Sequence, residues 1–443
     1  MSDTARPGPE AAPRERLRLD RKIVSWSLWD AGSAAVNAVM TTFVFTVYLT
    51  SSLFGDKDAN TSALSTGMTI TGVIIALVAP VLGLRSDRGG RRKFWLAVYT
   101  GIIVVSCGLC FFVQPSHSFL WLGIILLCMA TLGGELASVN YYAMLPQISS
   151  PATMGRVSGF GWSFGYFGGI LALSLVLFLF VQPAFDWPGG SDENGLNLRL
   201  VAVFCAVWTL AFSLPVFFAV PEVDSVPGPK RSVLGSYKEL GLVIAKFWRE
   251  DRPTLYFLGA QAVYRDGLAA VFTFGGVIAG TVFGMGQADV IIFAIAGNVV
   301  AALGALAGGW LEDRVGPRAV ISFCLGGLVL TGFGIFFSPG PSGFWVFGLV
   351  MCALVGPAQS SSRSFLARRA TPHTAGELFG LYTTTGRAVS FLAPALFTLG
   401  AVIAKAAGVT GEGNATRYGV LGIVVVLALG LFLFWLGRER RRA

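Results

Sequence analysis

The sequence predicts an all-α integral membrane protein with twelve transmembrane helices, built as two pseudo-symmetric six-helix bundles. Three observations predict it: too few charges for a water-soluble particle, twelve apolar stretches long enough to cross a bilayer, and loop motifs that recur half a chain apart. Only 13% of the residues are charged and 54% are hydrophobic, whereas a soluble domain carries about 25% charged residues. That leaves too little polar surface to clothe a soluble fold. The net charge of +9 is scattered over short loops and forms no basic domain, so nucleic acid is not expected as a partner.

A span needs about 20 apolar residues. On that measure helices 1 to 6 are expected near 24–53, 63–84, 94–113, 119–141, 157–181 and 199–220, and helices 7 to 12 near 253–282, 289–310, 319–337, 344–365, 377–404 and 418–436. The division this implies is a tail at 1–22, a bundle at 23–220, a linker at 221–252, a second bundle at 253–436 and a short tail at 437–443. In the linker, Val233, Tyr237, Leu240, Ile244 and Phe247 recur at helical spacing among Lys238, Glu239, Lys246 and Arg249. That pattern predicts an amphipathic helix lying on the membrane surface.

An even number of spans puts both termini on one side. Of 33 Lys and Arg, 26 fall on that side, four (Lys57, Arg199, Lys405 and Arg417) on the other, and three inside spans. The positive-inside rule therefore makes both termini cytoplasmic. The first 22 residues are polar and Arg-rich, without the apolar core of a cleaved signal.

The halves repeat. Gly83-Leu-Arg-Ser-Asp87-Arg88-Gly-Gly90-Arg91 and Gly309-Trp-Leu-Glu-Asp313-Arg314-Val-Gly316-Pro-Arg318 both fit G-x-x-x-D-R-x-G, with a second Arg (Arg92, Arg318) closing each. Pro151-Ala-Thr-Met-Gly155 and Pro372-His-Thr-Ala-Gly376 open helices 5 and 11. The glycines permit tight turns, and the Asp can accept hydrogen bonds from Arg or from a helix N-terminus, whose dipole favours an anion.

Polar residues keep a three-helix rhythm. Helices 3, 6, 9 and 12 carry no charged or amide side chain in their interiors, whereas helix 1 has Asp30 and Asn37, helix 4 Glu135 and Asn140, helix 7 Gln261, Arg265 and Asp266, and helix 10 Gln359 and Arg363. Ionisable groups inside a membrane face the protein interior or a wet cavity. Helices 1, 4, 7 and 10 are therefore expected to line a central cavity, with every third helix facing lipid. Asp30, Glu135 and Asp266 match Arg265, Arg363 and Arg387 in number, so pairing can neutralise the interior. Asp30, Asn37, Glu135, Asn140, Arg265, Asp266, Gln359, Arg363 and Arg387 are the candidate substrate or proton residues. Asn37, rather than Asp30, occupies the depth of Asp266, and Asp30, Ala34, Asn37 and Thr41 share one face. Arg265 and Asp266 are adjacent, about 100° apart around the axis. Asp266 is expected to meet substrate or proton, and Arg265 to pair with Glu135 or Asp30.

Other motifs yield less. Gly161-Trp-Ser163-Phe-Gly165 has nucleophile-elbow spacing, but in a membrane helix without a His partner it reads as packing. The stripes Gly161/Gly165/Gly169 and Gly276/Gly280/Gly284 suit close helix contact. Cys107-x-x-Cys110 lies in apolar helix 3 and reads as chance spacing. No catalytic group, cofactor, metal site or P-loop is expected, so ATP is not the direct driver.

Twelve helices, the six-plus-six repeat and the paired D-R loops resemble the major facilitator superfamily. Within it, Trp29-Asp30 and Asn37, Asn140-Tyr-Tyr-Ala-Met-Leu-Pro146, Gly155-Arg-Val-Ser-Gly-Phe-Gly-Trp162, Gly165-Tyr-Phe-Gly-Gly169, Tyr264-Arg-Asp-Gly267 and Gln359 through Phe365 resemble the vacuole-effluxer-like branch. On helix 1 that branch usually reads Asp-Trp-Ala-Asn-Ser; this chain has Asp30-Ala-Gly-Ser-Ala, with the Asn at 37. The resemblance implies a secondary carrier working by alternating access, not an enzyme. It implies a small polar solute, amino acids being the expected class, moved outward and linked to protons. A multidrug exporter, and a lipid scramblase or receptor on a carrier scaffold, stay open as alternatives. It also implies gates built on Gly83, Asp87, Arg88 and Arg91 and on Gly309, Asp313, Arg314 and Arg318. The expected partners are a small-molecule substrate, protons and membrane lipid, around a monomer. The expected location is the cell membrane, or the vacuolar membrane in a fungus.

Overall fold

Twelve helices long and apolar enough to cross a membrane run through a computed structural model that describes residues 19–437, apart from 186, 223, 225–232, 372 and 412. Residues 1–18 of the tail, Pro372 of the repeat and Arg438, Arg440, Arg441 and Arg442 lie outside the described residues. Helices 1 to 6 are Arg21–Leu49, Lys57–Gly89, Arg92–Phe112, His117–Ile148, Met154–Val181 and Glu193–Ala219. Helices 7 to 12 are Arg252–Phe283, Asp289–Val315, Pro317–Phe337, Pro341–Ala367, Ala375–Ala406 and Asn414–Leu436. A linker helix, Val233–Glu250, lies between the two sets. This is a multi-pass membrane protein, all-helical among its described residues.

Each set of six packs largely on itself: helix 1 on 5 and 6, helix 3 on 4 and 6, and in the second half helix 7 on 11 and 12, helix 10 on 8 and 9. The principal contacts between halves come from helices 2, 4, 5, 8, 10 and 11. Helices 3, 6, 9 and 12 stay outside that interface and turn apolar side chains outward. Phe323, Leu330 and Phe337, seven residues apart on helix 9, are 67–74% exposed. Apolar surface of that kind is stable only against lipid.

Two helices depart from the regular spacing read in the sequence. Helix 1 is α-helical to Ala35 and then widens into a π-type segment, Val36–Phe43. The hydroxyls of Thr41 and Thr42 both donate to the Asn37 carbonyl at 2.7 Å there. A face drawn at 3.6 residues per turn through Asp30, Ala34, Asn37 and Thr41 therefore ends at Ala35, because the wider turn re-aims the side chains beyond that point. Helix 11 is broken, running Ala375–Val389 and then Leu392–Ala406.

The D-R loops end helices 2 and 8 on their last glycine, with positive φ at Gly90 (59°) and Gly316 (84°), where a side chain would be strained. Of the two glycine stripes, only the helix 5 stripe is used for packing. A Cβ at Gly161 would press on Trp26, and one at Gly165 or Gly169 would meet Asp30 or Ala34 at ordinary contact distance. The helix 7 stripe is a correction: a Cβ on Gly280 or Gly284 would meet nothing within 4 Å. Gly284 instead takes the left-handed conformation (φ 63°) that ends the helix.

Candidate functional site

The charged residues predicted to line the interior are brought together in two clusters, both spanning the halves. In the first, Arg363 of helix 10 reaches into the first half. Its Nη1 lies 3.5 Å from the Asp30 carboxylate, its Nε donates to Ser158 Oγ (3.0 Å) and its Nη2 to the Ser158 carbonyl (2.6 Å). The guanidinium stands 4.7 Å from the Trp26 ring, 5.2 Å from Tyr142, 5.5 Å from Trp162 and 5.6 Å from Tyr141. Trp26 is held by donating Nε1 to the Tyr141 carbonyl at 2.9 Å and by stacking on that tyrosine. A cation in such a box gains from the ring faces as well as from the carboxylate. Arg363 is 1% exposed. Helices 1, 4 and 5 thus clamp one side chain of helix 10.

The second cluster is more open. Arg387 of helix 11 pairs with Glu135 of helix 4, their side chains 30% and 20% exposed. Arg265 of helix 7 lies over the Tyr382 ring at 5.1 Å, within the electrostatic reach of Glu135. It has no ion-pair partner among the described residues. Gln261, one turn back, fixes helix 11 by donating to the Tyr382 carbonyl (3.1 Å) and to Thr385 Oγ1 (3.2 Å). Gln359 is half-buried and Asn37 is exposed.

Two expected cavity residues are engaged elsewhere. Asn140 is 1% exposed and accepts from Ser86 Oγ at 2.5 Å, bracing helix 4 on helix 2 within the first half. Asp266 accepts the Ala393 N–H at 2.6 Å, capping the second segment of helix 11. A broken helix exposes orphan N–H groups, and a carboxylate is the strongest local acceptor for them. The expected pairing of Arg265 with Glu135 or Asp30 is corrected too, because Arg387 and Arg363 take those carboxylates. With Asp266 diverted, three arginines share two carboxylates in the interior, and Arg265 is the cation left over.

On the side that carries both chain ends, here the basic side, the halves meet backbone to backbone. A Cβ on Gly83 would collide with the Gly376 carbonyl, and one on Gly309 with that of Gly155. Asp87 accepts the N–H groups of Gly376 and Glu377, both at 2.9 Å, and pairs with Arg92. Asp313 accepts those of Gly155 (2.8 Å) and Arg156 (3.2 Å) and pairs with Arg156 (2.7 Å) and Arg368 (3.2 Å). Each Asp therefore sits on the N-terminus of a helix from the other half. Arg92, Arg156 and Arg368 were missed by the sequence reading, although each lies in or beside a quoted motif. The motif arginines themselves point elsewhere: Arg88 pairs with Glu239 of the linker helix, Arg314 lies 3.3 Å from the centre of the Trp310 ring, and Arg318 donates to the Gly437 carbonyl at 2.8 Å. Arg91 is exposed. Toward the opposite side Asn37, Ser390 and Phe391 are exposed.

Charged residues held at the interface of two six-helix halves, with the chain closed on one side, define a secondary transporter of the major facilitator superfamily. The fold is that of solved members. It superposes on the proton:xylose symporter XylE with a TM-score of 0.71 at 12% identity, covering 94% of this chain and 95% of that one. A bacterial homologue of the iron transporter ferroportin in an outward-facing state gives 0.68 at 13%, covering 95% and 99%. The chain belongs to the family described as vacuole effluxer Atg22 like, whose model matches residues 49–443. An uncharacterized MFS-type transporter, YxiO of Bacillus subtilis, is 25% identical over 94% of both chains. Autophagy-related protein 22 of Cryptococcus neoformans is 25% identical over 62% of this chain, which spans only 51% of that longer protein.

Proposed function

We propose that this protein exports small solutes bearing a carboxylate, amino acids above all, with residues 23–220 and 253–436 rocking about the two charge clusters. The observation that carries the reading is Arg265, a half-buried guanidinium at membrane depth with no ion-pair partner among the described residues. An uncompensated cation there is costly, and a substrate carboxylate is the counterion that relieves it. The Glu135 carboxylate beside it is the natural partner for an ammonium group. Protonation of Glu135 would release Arg387 and with it one tie between helices 4 and 11, which is a route to proton coupling. Asp30 and Arg363 form the buried anchor of the same site, with Asn37 and Gln359 at its margin. Asp266 takes a positioning role, holding the break in helix 11.

The basic side is cytoplasmic on the charge bias of 26 to four, so Asp87 and Asp313 close an inner gate and the site faces outward. The family description supports efflux.

A thermal-shift screen of the purified protein tests the assignment. Amino acids are expected to raise Tm, because a ligand stabilises the state it binds. Arg265→Ala should abolish that shift and leave the unliganded Tm near wild type, whereas Asp266→Ala should lower the unliganded Tm. Full stabilisation by amino acids in Arg265→Ala would sink the reading. Stabilisation by hydrophobic cations alone would turn it toward a multidrug exporter.

A further inference from the structure

At the basic end a crevice of about 220 Å³ opens between the linker helix, the start of helix 7 and the end of helix 12. It is lined by Trp248, Leu255, Tyr256, Gly259, Ala260 and Leu433. Gly259 is seven residues, about 10 Å, along helix 7, and the apolar run of that helix begins at Leu255, so the crevice lies beside its first apolar turns. Its aromatic and aliphatic walls suit the lipid interface, where Trp and Tyr are enriched. Trp248 and Tyr256 are 55% and 46% exposed there, and a Cβ added to Gly259 would meet nothing within 4 Å.

Two cations flank its Trp248 wall, Arg249 next to that residue in the chain and Arg252 against its ring. Arg249 is exposed and makes no hydrogen bond or ion pair among the described residues. Arg252 donates Nε to the Trp248 carbonyl at 2.9 Å, its guanidinium 5.4 Å from that ring. The nearby acids are already engaged: Asp251 pairs with Arg369 at 2.8 Å, and Glu250 lies 3.9 Å from Lys246. A net positive charge therefore sits beside an apolar crevice.

We propose that this crevice is a binding site for one anionic phospholipid, an acyl chain lying along Tyr256, Gly259 and Leu433 and the phosphate held by Arg249 and Arg252. Basic residues bordering a pocket between membrane helices on this side suit an anionic headgroup, and a polar solute has no reason to fill an apolar crevice. The linker helix is tied at its other end to helix 2 through Glu239 and Arg88. A lipid seated between Trp248 and helix 7 would therefore fasten the linker to the second half as well.

Thermal unfolding of the detergent-purified full chain tests this with three probes: phosphatidylglycerol, phosphatidylcholine and inorganic phosphate. Phosphatidylglycerol should raise Tm and the other two should not. The double variant Arg249→Gln, Arg252→Gln should need about tenfold more phosphatidylglycerol for the same shift. Gly259→Phe, which plugs the crevice, should lose the shift, and Leu433→Trp supplies the same plug if that variant does not fold. Native mass spectrometry should show one retained lipid in the wild type and none in the plugged variant. Equal shifts with phosphatidylcholine would mean a nonspecific lipid belt, and a shift with phosphate alone a soluble-anion site. Either result, or an undiminished phosphatidylglycerol response in the variants, overturns the proposal.

Discussion

The two D-R loops are related by the internal repeat, yet they hold the molecule together in different ways. At the end of helix 8, Asp313 is paired across the halves with Arg156 and within its own half with Arg368, which also donates to the Pro151 carbonyl opposite. Glu312 beside it is covered by Arg368 (3.0 Å) and Ser364 (2.6 Å). At the end of helix 2, Asp87 takes its guanidinium from Arg92 of its own half, and only backbone N–H groups from the other. Where helix 5 offers Arg156, helix 11 offers Glu377, a carboxylate next to a carboxylate. One loop is thus a cross-half ion-pair lock. The other is an internal brace whose hold on the opposite half rests on a helix N-terminus. A repeat preserves backbone geometry more faithfully than it preserves charge.

The comparison breaks most visibly at Asp87. Asp87 and Arg92 are both 2% exposed, so Asp87→Ala strands a buried cation and should cost about 3–5 kcal/mol of stability. Thermal or denaturant unfolding checks it, and a loss under about 1 kcal/mol would show that Arg92 finds other cover. Asp313→Ala should cost less, about 2 kcal/mol, because Arg156 and Arg368 are 24% and 23% exposed and can rehydrate. Its signature is conformational: a cysteine at position 375, buried in the wild type, should become several-fold more reactive. If Asp87→Ala opened the gate and Asp313→Ala only lowered Tm, the two roles would have to be exchanged.

Glu377→Gln sharpens the contrast. Removing the charge beside Asp87 should tighten the helix 2 to helix 11 contact by about 1 kcal/mol, raising Tm slightly and slowing turnover several-fold. Faster turnover would mean that Glu377 holds the lock rather than opposing it. The smallest effect is expected from Glu239→Gln. Arg88 is 37% exposed in that pair, and partly exposed pairs contribute at most about 1 kcal/mol, so a shift of a few tenths by unfolding is the expected result.

The number of spans, the six-plus-six division and the two loop motifs were legible because each depends on nearby residues: twenty apolar side chains, a glycine at a fixed offset, a run of arginines. That helices 3, 6, 9 and 12 stay outside the interface between the halves was legible for a related reason, since a charge inside a membrane has few places to go. Which charge meets which was not. Asp30, Glu135 and Asp266 match three arginines in number, but only the folded chain brings Arg363 to Asp30, Arg387 to Glu135 and the Ala393 N–H to Asp266. The break in helix 11 between Val389 and Leu392 decides the partner of Asp266, and its one local mark in the sequence is Pro394, which cannot donate to the Ser390 carbonyl. A broken helix must cap its own ends, so the acid nearest the break is drawn from the cavity, and the cation left behind becomes the candidate site.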